Sequence, residues 1–460
     1  MQTHFNDAAL ARPHIQRADK VLRSCVHCGF CNATCPTYQL LGDERDGPRG
    51  RIYLIKQLLE SDPESPDEAV REQATQITRE TQQHLDRCLS CRSCETTCPS
   101  GVQYHTLLDI GRQELERRVG RPWRERLLRS GLRHALVEPA RFKALLALGV
   151  RFRPLAPGAL ADKIPLTRER DRQARHPTAP VTATSSDQAL SRQGLSRQGL
   201  SRQGLSRPVL SRQMLMLEGC VQPGLAPNIN AATARVLARF GIGVTPIQEA
   251  GCCGAIDYHL NAQQAGRARM RANIDAWWPA IEAGAEAIVQ TASGCGAFVK
   301  EYGEMLADDP DYAERAARVS ALARDIVEVL GEEIARDDRQ NLAAAPDQQP
   351  LAFHCPCTLQ HAQGLGGEVE KILSQLGFTL TPVMEGHLCC GSAGTYSITQ
   401  PELSRQLRDR KLEALEANGP ARIATANIGC QTHLSSAGRT PISHWIELVD
   451  DALPETLPQE

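Results

Sequence analysis

Aromatic residues are scarce in this chain, at 4%, which leaves little stock for the base-stacking platforms that single-stranded nucleic acid needs. An excess of one charge is lacking too. The formal net charge of -2 gives no global attraction to nucleic acid or acidic surfaces. No apolar run approaches the ~18 residues that would cross a bilayer, and the polar start Met1-Gln2-Thr3-His4-Phe5-Asn6-Asp7 carries no basic-then-apolar signal. A complete Gly-x-Gly-x-x-Gly is missing, because Gly241-x-Gly243 and Gly364-x-Gly366 both lack the third glycine in place. Walker-type loops and Gly-x-Ser-x-Gly elbows are missing as well. The chain therefore has no motif for holding a flavin or nicotinamide, and hydride chemistry falls to a partner.

Cysteine is what the chain has in quantity, with 17 residues. In a chain expected to stay in a reducing compartment these thiols cannot rely on disulfides. Clustered cysteines there point to metal ligation, and spacing decides which metal.

Four stretches separate. Residues 1–115 hold two cysteine clusters joined by helix-like sequence, including Arg51–Glu60 and Asp67–Leu85. Residues 116–213 begin with a basic amphipathic segment and end in low complexity: Leu-Ser-Arg-Gln-Gly occurs three times from Leu190, with variants up to residue 213. That tract has no apolar face to bury and reads as a flexible linker. Residues 214–345 and 346–460 alternate short apolar runs with helical patterns, as α/β domains do. These last two stretches are a duplication. Cys220 precedes Cys252-Cys253-Gly254 by the same 31-residue gap that separates Cys357 from Cys389-Cys390-Gly391. The strand ending Gly294-Cys295 matches the one ending Gly429-Cys430.

Near the N-terminus, Cys25-x2-Cys28-x2-Cys31-x3-Cys35-Pro36 recurs as Cys88-x2-Cys91-x2-Cys94-x3-Cys98-Pro99. Three cysteines at steps of three wrap a loop round one [4Fe–4S] cube, and the fourth is carried off to complete the other cube. The expected ligand sets are Cys25, Cys28, Cys31 and Cys98 for one cluster, and Cys88, Cys91, Cys94 and Cys35 for the second. Zinc knuckles pair two short Cys-x2–4-Cys units and do not carry two runs of four with a terminal Cys-Pro. His27 and His84 are expected to face solvent or to donate to a cluster.

Each C-terminal repeat offers four thiols, Cys220, Cys252, Cys253 and Cys295, then Cys357, Cys389, Cys390 and Cys430. These are candidates for further iron–sulfur centres, since paired and phased cysteines are a poor match to packing alone. Cys355 is out of register and reads as a small buried hydrophobe. His354, His361, His387 and His444 read as structural.

The Cys-Cys-Gly pairs resemble the cysteine-rich CCG domain, whose fullest form ends Cys-x2-Cys and binds a non-cubane centre. Here Phe298 and His433 stand at the last position. Four thiolates suffice for a conventional cluster, and His433 offers a nitrogen like the histidines of Rieske centres. The long gap between the N-terminal runs resembles the helical ferredoxin module of the succinate dehydrogenase and heterodisulfide reductase families. In whole-chain order, and in His354–His361, Leu388–Thr395, Thr425–His433 and Gly47–Ile52, the sequence resembles the family of glycolate oxidase iron–sulfur subunits. The resemblance implies a multidomain chain, with an N-terminal α-helical ferredoxin-like domain followed by two α/β CCG domains. It also implies FAD-binding glycolate oxidase subunits as partners, and the quinone pool or another acceptor. The expected place is cytoplasmic, peripheral on the inner face of the membrane. Anaerobic glycerol-3-phosphate or lactate dehydrogenase subunits share the layout, and the same cysteines would also suit a heterodisulfide-reductase-like enzyme or a zinc scaffold.

Residues 117–153 add eleven Arg or Lys mixed with leucines, against Glu125 and Glu138 alone. They read as basic amphipathic helices able to dock on a membrane surface or a partner subunit.

Overall fold

The structure, a computed structural model, describes residues 1–61, 68–75, 77–153, 212–336, 342 and 345–454. The low-complexity tract up to residue 211 lies outside the described residues.

The N-terminal domain is helical. Three helices, Pro13–Ser24, Pro48–Glu60 and Tyr104–Val119, pack around Ile15, Leu22, Ile55, Leu58, Leu107, Leu108 and Leu115. Proline at the first helical position starts two of these helices, where its missing N–H costs nothing. Gly111 lets Tyr104–Val119 cross close to Pro48–Glu60, since a Cβ there would stand 2.7 Å from Ile55. The single helix expected over Asp67–Leu85 is instead two, Glu68–Thr75 and Arg79–Asp86. Thr78 caps the second by accepting from the Glu80 N–H, so the chain restarts there.

The basic segment forms two helices, Trp123–Leu136 and Pro139–Phe152. Their inner side buries Val137 and Leu146, and Arg133 pairs with Asp257 of the first repeat at 2.6 Å. Their outer side leaves Trp123, Leu127, Leu128, Leu145, Leu148 and Phe152 exposed.

The two repeats build the same sheet twice. Strands β1 (Arg212–Met216), β2 (Ile242–Pro246), β3 (Ile288–Gln290) and β4 (Ala323–Asp325) are all parallel, in the order β2-β1-β3-β4. Strands β5 (Leu351–His354), β6 (Leu380–Thr381), β7 (Arg422–Thr425) and β8 (Ile442–His444) repeat this as β6-β5-β7-β8. β1 begins at Arg212, so the last two residues of the tract read as linker belong to the sheet.

The repeats share one core, in which Val236, Leu237 and Ile326 meet Ile372, Trp445 and Val449. The pairing is reciprocal. Helix Asn228–Arg239 of the first packs on the last helix of the second, Trp445–Ala452, while Glu368–Gln375 of the second packs on Ile326–Arg336 of the first. That is the arrangement of a two-fold dimer written into one chain. Arg235 and Arg239 both reach Asp450 across it.

Candidate functional site

The two N-terminal cysteine runs fold into matching loops. His27 and Ser90, each just before the second cysteine, have positive φ (60° and 53°), as do Gly29 and Arg92 just after it (89° and 60°). Left-handed residues flanking the second cysteine curl the loop so that the thiols converge; only glycine adopts that conformation at no cost. Pro36 then starts the helix Pro36–Leu41 and carries Cys35 away from its own run.

Cys25, Cys28, Cys31 and Cys98 line one cavity. Cys35, Cys88, Cys91 and Cys94 line another. Pro48, Cys94 and Tyr104 belong to the walls of both, so the two cavities adjoin. The thiols are held together against their own charge. Burial, then repulsion from Cys25, pushes Cys31 up to about 11. Burial also lifts Cys91 and Cys94 well above the usual thiol range. Such thiols ionise together only against a cation, so an all-sulfur donor set of this kind fits an iron–sulfur cube.

The cavities differ in setting. Around the first, Cys28 is exposed, Val26 is 68% and Phe30 62% exposed, and Tyr53 is exposed nearby. The second lies against the second repeat: Leu89 and Cys91 share an apolar cluster with Cys357, Cys389 and Tyr396. Thr96 Oγ1 is hydrogen-bonded to His361 Nδ1 at 3.0 Å, and Tyr396 donates to the Arg87 carbonyl at 3.1 Å.

Arg51 stands beside the second set of thiols, a placement that the spacing of cysteines does not reveal. It is 1% exposed, donates to Thr37 Oγ1 at 3.2 Å and to the His84 carbonyl at 2.8 Å, and stands 4.0 Å from Cys35 Sγ. Asp46, equally buried, faces it at 3.5 Å and also takes Arg87 at 2.8 Å and His84 Nδ1 at 3.0 Å. Burial opposes the Arg51 charge, but Cys88, Tyr104, Cys35 and Asp46 hold it. Tyr104 adds an O–H toward Cys88 Sγ at 3.7 Å. The signal was present in Gly47-Pro-Arg-Gly-Arg-Ile52: a Cβ on Gly50 would sit 2.1 Å from the Glu44 carbonyl, so this tight approach delivers Arg51 inward. His84 is buried on Asp46, correcting the expectation that it faces solvent or a cluster, while His27 lies at the surface near the Arg49 carbonyl.

In each repeat the four thiols meet beyond the carboxyl ends of the strands, where strand order reverses and α/β sheets bind their ligands. Cys220 and Cys295 follow β1 and β3, and Cys357 and Cys430 follow β5 and β7. Cys389 lies 3.8 Å from Cys357. Within each quartet the thiols act on one another: Cys252 is pulled well down by Cys220 and Cys253, and Cys390 by Cys389 and Cys430, while Cys220, Cys253, Cys389 and Cys430 are pushed up. Cys355 is half-buried and packs on the shared core. His433 turns its Nε2 to Ser404, with Oγ at 3.0 Å and the carbonyl at 3.2 Å. The imidazole gathered with Cys390 and Cys430 is His354, which sequence spacing alone marks as structural.

A helical domain with two adjoining ferredoxin-type thiol quartets, seated on two thiol-bearing parallel-sheet repeats, defines an iron–sulfur electron-transfer subunit. Residues 21–102 match the model of the 4Fe-4S dicluster domain, and residues 214–300 and 351–435 each match that of the cysteine-rich CCG domain. The glycolate oxidase iron-sulfur subunit of Escherichia coli (strain K12) is 57% identical over 453 residues, covering 98% of this chain and 99% of that protein. The probable glycolate oxidase iron-sulfur subunit of Bacillus subtilis (strain 168) is 30% identical over 412 residues, 89% of this chain and 87% of the relative. Lactate utilization protein A of Geobacillus thermodenitrificans (strain NG80-2) is 29% identical over 211 residues, 44% of this chain and 82% of its own. The chain belongs to the family of glycolate oxidase iron–sulfur subunits. No described helix is long and apolar enough to cross a membrane.

Proposed function

We propose that this chain carries electrons away from an FAD-binding partner that oxidises glycolate to glyoxylate, towards a quinone acceptor. In this reading Cys25, Cys28, Cys31 and Cys98 hold one [4Fe–4S] cluster, and Cys88, Cys91, Cys94 and Cys35 the second. The clusters supply one-electron carriers that the chain's own side chains cannot. The observation that carries the reading is the contrast between the two cavities. One lies among exposed Val26, Cys28 and Phe30, and the other lies against the second repeat. A site among exposed apolar residues beside one packed against the second repeat is what exchange with an outside partner and onward transfer within the chain require. Arg51 and Tyr104 place a positive charge and an O–H beside the second set of thiols, both of which favour the reduced state. The exposed apolar face of Trp123–Leu136 and Pro139–Phe152 supports docking at the inner face of the cytoplasmic membrane.

The test is to purify the chain anaerobically with its flavoprotein partners, add glycolate, and follow the iron–sulfur EPR signals. Two reduced cubane signals within the turnover time support the reading. Reduction by lactate or glycerol 3-phosphate alone would overturn the substrate, and zinc in place of iron would overturn electron transfer altogether.

A further inference from the structure

The duplication makes the first repeat an internal control for the second. Their thiol quartets correspond, but the surroundings do not. Three residues before Cys220 stands Leu217, and three before Cys357 stands His354. Three residues after Cys295 stands Phe298, and three after Cys430 stands His433. In the first repeat Leu217 and Phe298 join Cys253 in one apolar cluster, with the Phe298 ring edge-on to Tyr258 and Tyr302. On the helix after Cys-Cys-Gly, neutral Asn273 accepts from the Gly251 N–H and donates to the Cys252 carbonyl. The matching helix of the second repeat buries a cation instead: Lys411, 3% exposed, donates to the carbonyls of Glu385 and Gly386.

His354 is the sharpest difference. It is 2% exposed, and its Nδ1 is hydrogen-bonded to Thr425 Oγ1 at 2.9 Å. Its Nε2 is buried with no nitrogen or oxygen partner among the described residues. The ligand atoms of His354, Cys390 and Cys430 all lie within 4.8 Å of one another. A core histidine normally satisfies both ring nitrogens, and sulfur is a poor substitute partner. One nitrogen fixed by a hydroxyl, with the other aimed into thiols, is how a protein holds a histidine for a metal.

We propose that His354 is a metal ligand, its Nε2 joining the thiolates of Cys357, Cys389, Cys390 and Cys430 to hold an iron–sulfur centre that the first repeat lacks in this form. The imidazole takes the place left open by the absence of a cysteine at His433, whose own Nε2 is engaged by Ser404. Lys411 offsets the negative charge of the thiolates. This inference rests on the reading of the chain as an iron–sulfur carrier, yet it stands apart from the N-terminal clusters.

The experiment uses the full chain, purified anaerobically from cells fed histidine labelled with a heavy nitrogen isotope. Expected are more than the about eight irons of two cubes, and a third EPR signal whose nitrogen hyperfine coupling changes with the histidine label. His354→Cys should keep a third signal and lose that coupling, and Phe298→Tyr in the first repeat should change neither. A third signal without histidine coupling overturns the proposal. So do a coupling that persists in His354→Cys, zinc held in the second repeat, and two cubane signals alone. Loss of the cubane signals themselves would instead count against the proposed function, so the two failures are distinguishable. If His354→Cys does not fold, absence of histidine coupling in the unmutated chain still overturns the proposal, and His433→Gln, which should keep the coupling, separates the two histidines.

Discussion

Replacing Arg51 by glutamine should make the cluster assigned to Cys35, Cys88, Cys91 and Cys94 harder to reduce and leave the other largely unmoved. The guanidinium lies 4.0 Å from Cys35 Sγ and is buried, so its charge is little screened. An electron entering a cube spreads its charge over several atoms, on average ~6–7 Å from Arg51. At an effective dielectric of about 20 that interaction is worth about 2.5 kcal/mol, or about 100 mV for one electron. The change is not cancelled locally. Asp46 remains paired with Arg87 at 2.8 Å, and loss of the Arg51 charge makes the field at the thiols more negative. Potentiometric titration of the full chain followed by EPR reads both centres in one sample. Arg51→Lys, which restores the charge without the fork, should recover most of the shift. A midpoint for this centre within ~20 mV of the unmutated value, or an equal fall at both centres, would refute the electrostatic reasoning. The substitution also breaks a buried ion pair, and a stability loss of about 3 kcal/mol is expected in chemical unfolding.

Crosswise ligation predicts that Cys98→Ser removes the centre shared with Cys25, Cys28 and Cys31 and spares the other, with Cys35→Ser doing the converse; the opposite pattern in EPR would reverse the assignment. Burial pushes His444 down to about 4 from its usual 6.5, consistent with an Nε2–H donating to the Thr291 carbonyl and an Nδ1 accepting from the Ile446 N–H. The folded chain then binds fewer protons than the unfolded one, so stability is full above pH 6.5 and falls as the pH drops toward 4. His444 should cost about 2 kcal/mol between pH 7 and pH 5, and His444→Asn, which keeps a cap, should flatten that limb in denaturant titrations. Gly391→Ala brings a Cβ to 2.6 Å from the Ser404 carbonyl at φ +84°, whereas Gly394→Ala meets nothing within 4 Å at φ +62°. The first should destabilise the second repeat by about 3 kcal/mol and the second by about 1 kcal/mol, as read from unfolding midpoints. Val26→Ser with Phe30→Ser should slow electron exchange with the flavoprotein partner in stopped flow while leaving both cluster potentials in place; an unchanged rate would put the docking surface elsewhere.

How much of this was legible depended on whether a requirement is local in sequence. The cysteine runs declare themselves because three candidate ligands of each proposed set lie within seven residues, and the structure brings the fourth from the other run into the same cavity. The duplicated sheet was legible for a similar reason, since β1, β3, β5 and β7 are short runs each followed within five residues by a cysteine. Arg51 was not, although its motif was visible. Its role follows from where Gly50 lets the helix pass and from Asp46, Thr37 and His84, which only the fold places around it. The choice between His354 and His433 shows the limit most clearly. By spacing, His433 occupies the place of a missing ligand and His354 is merely the residue that ends β5. In space, Ser404 occupies the Nε2 of His433, while Thr425, the residue paired with His354 across β5 and β7, turns the His354 ring so that its other nitrogen faces the thiols. A motif counts residues along one strand. The partner that orients a ligand sits on the neighbouring strand, about 70 residues away, and no spacing rule that reads a single segment records it.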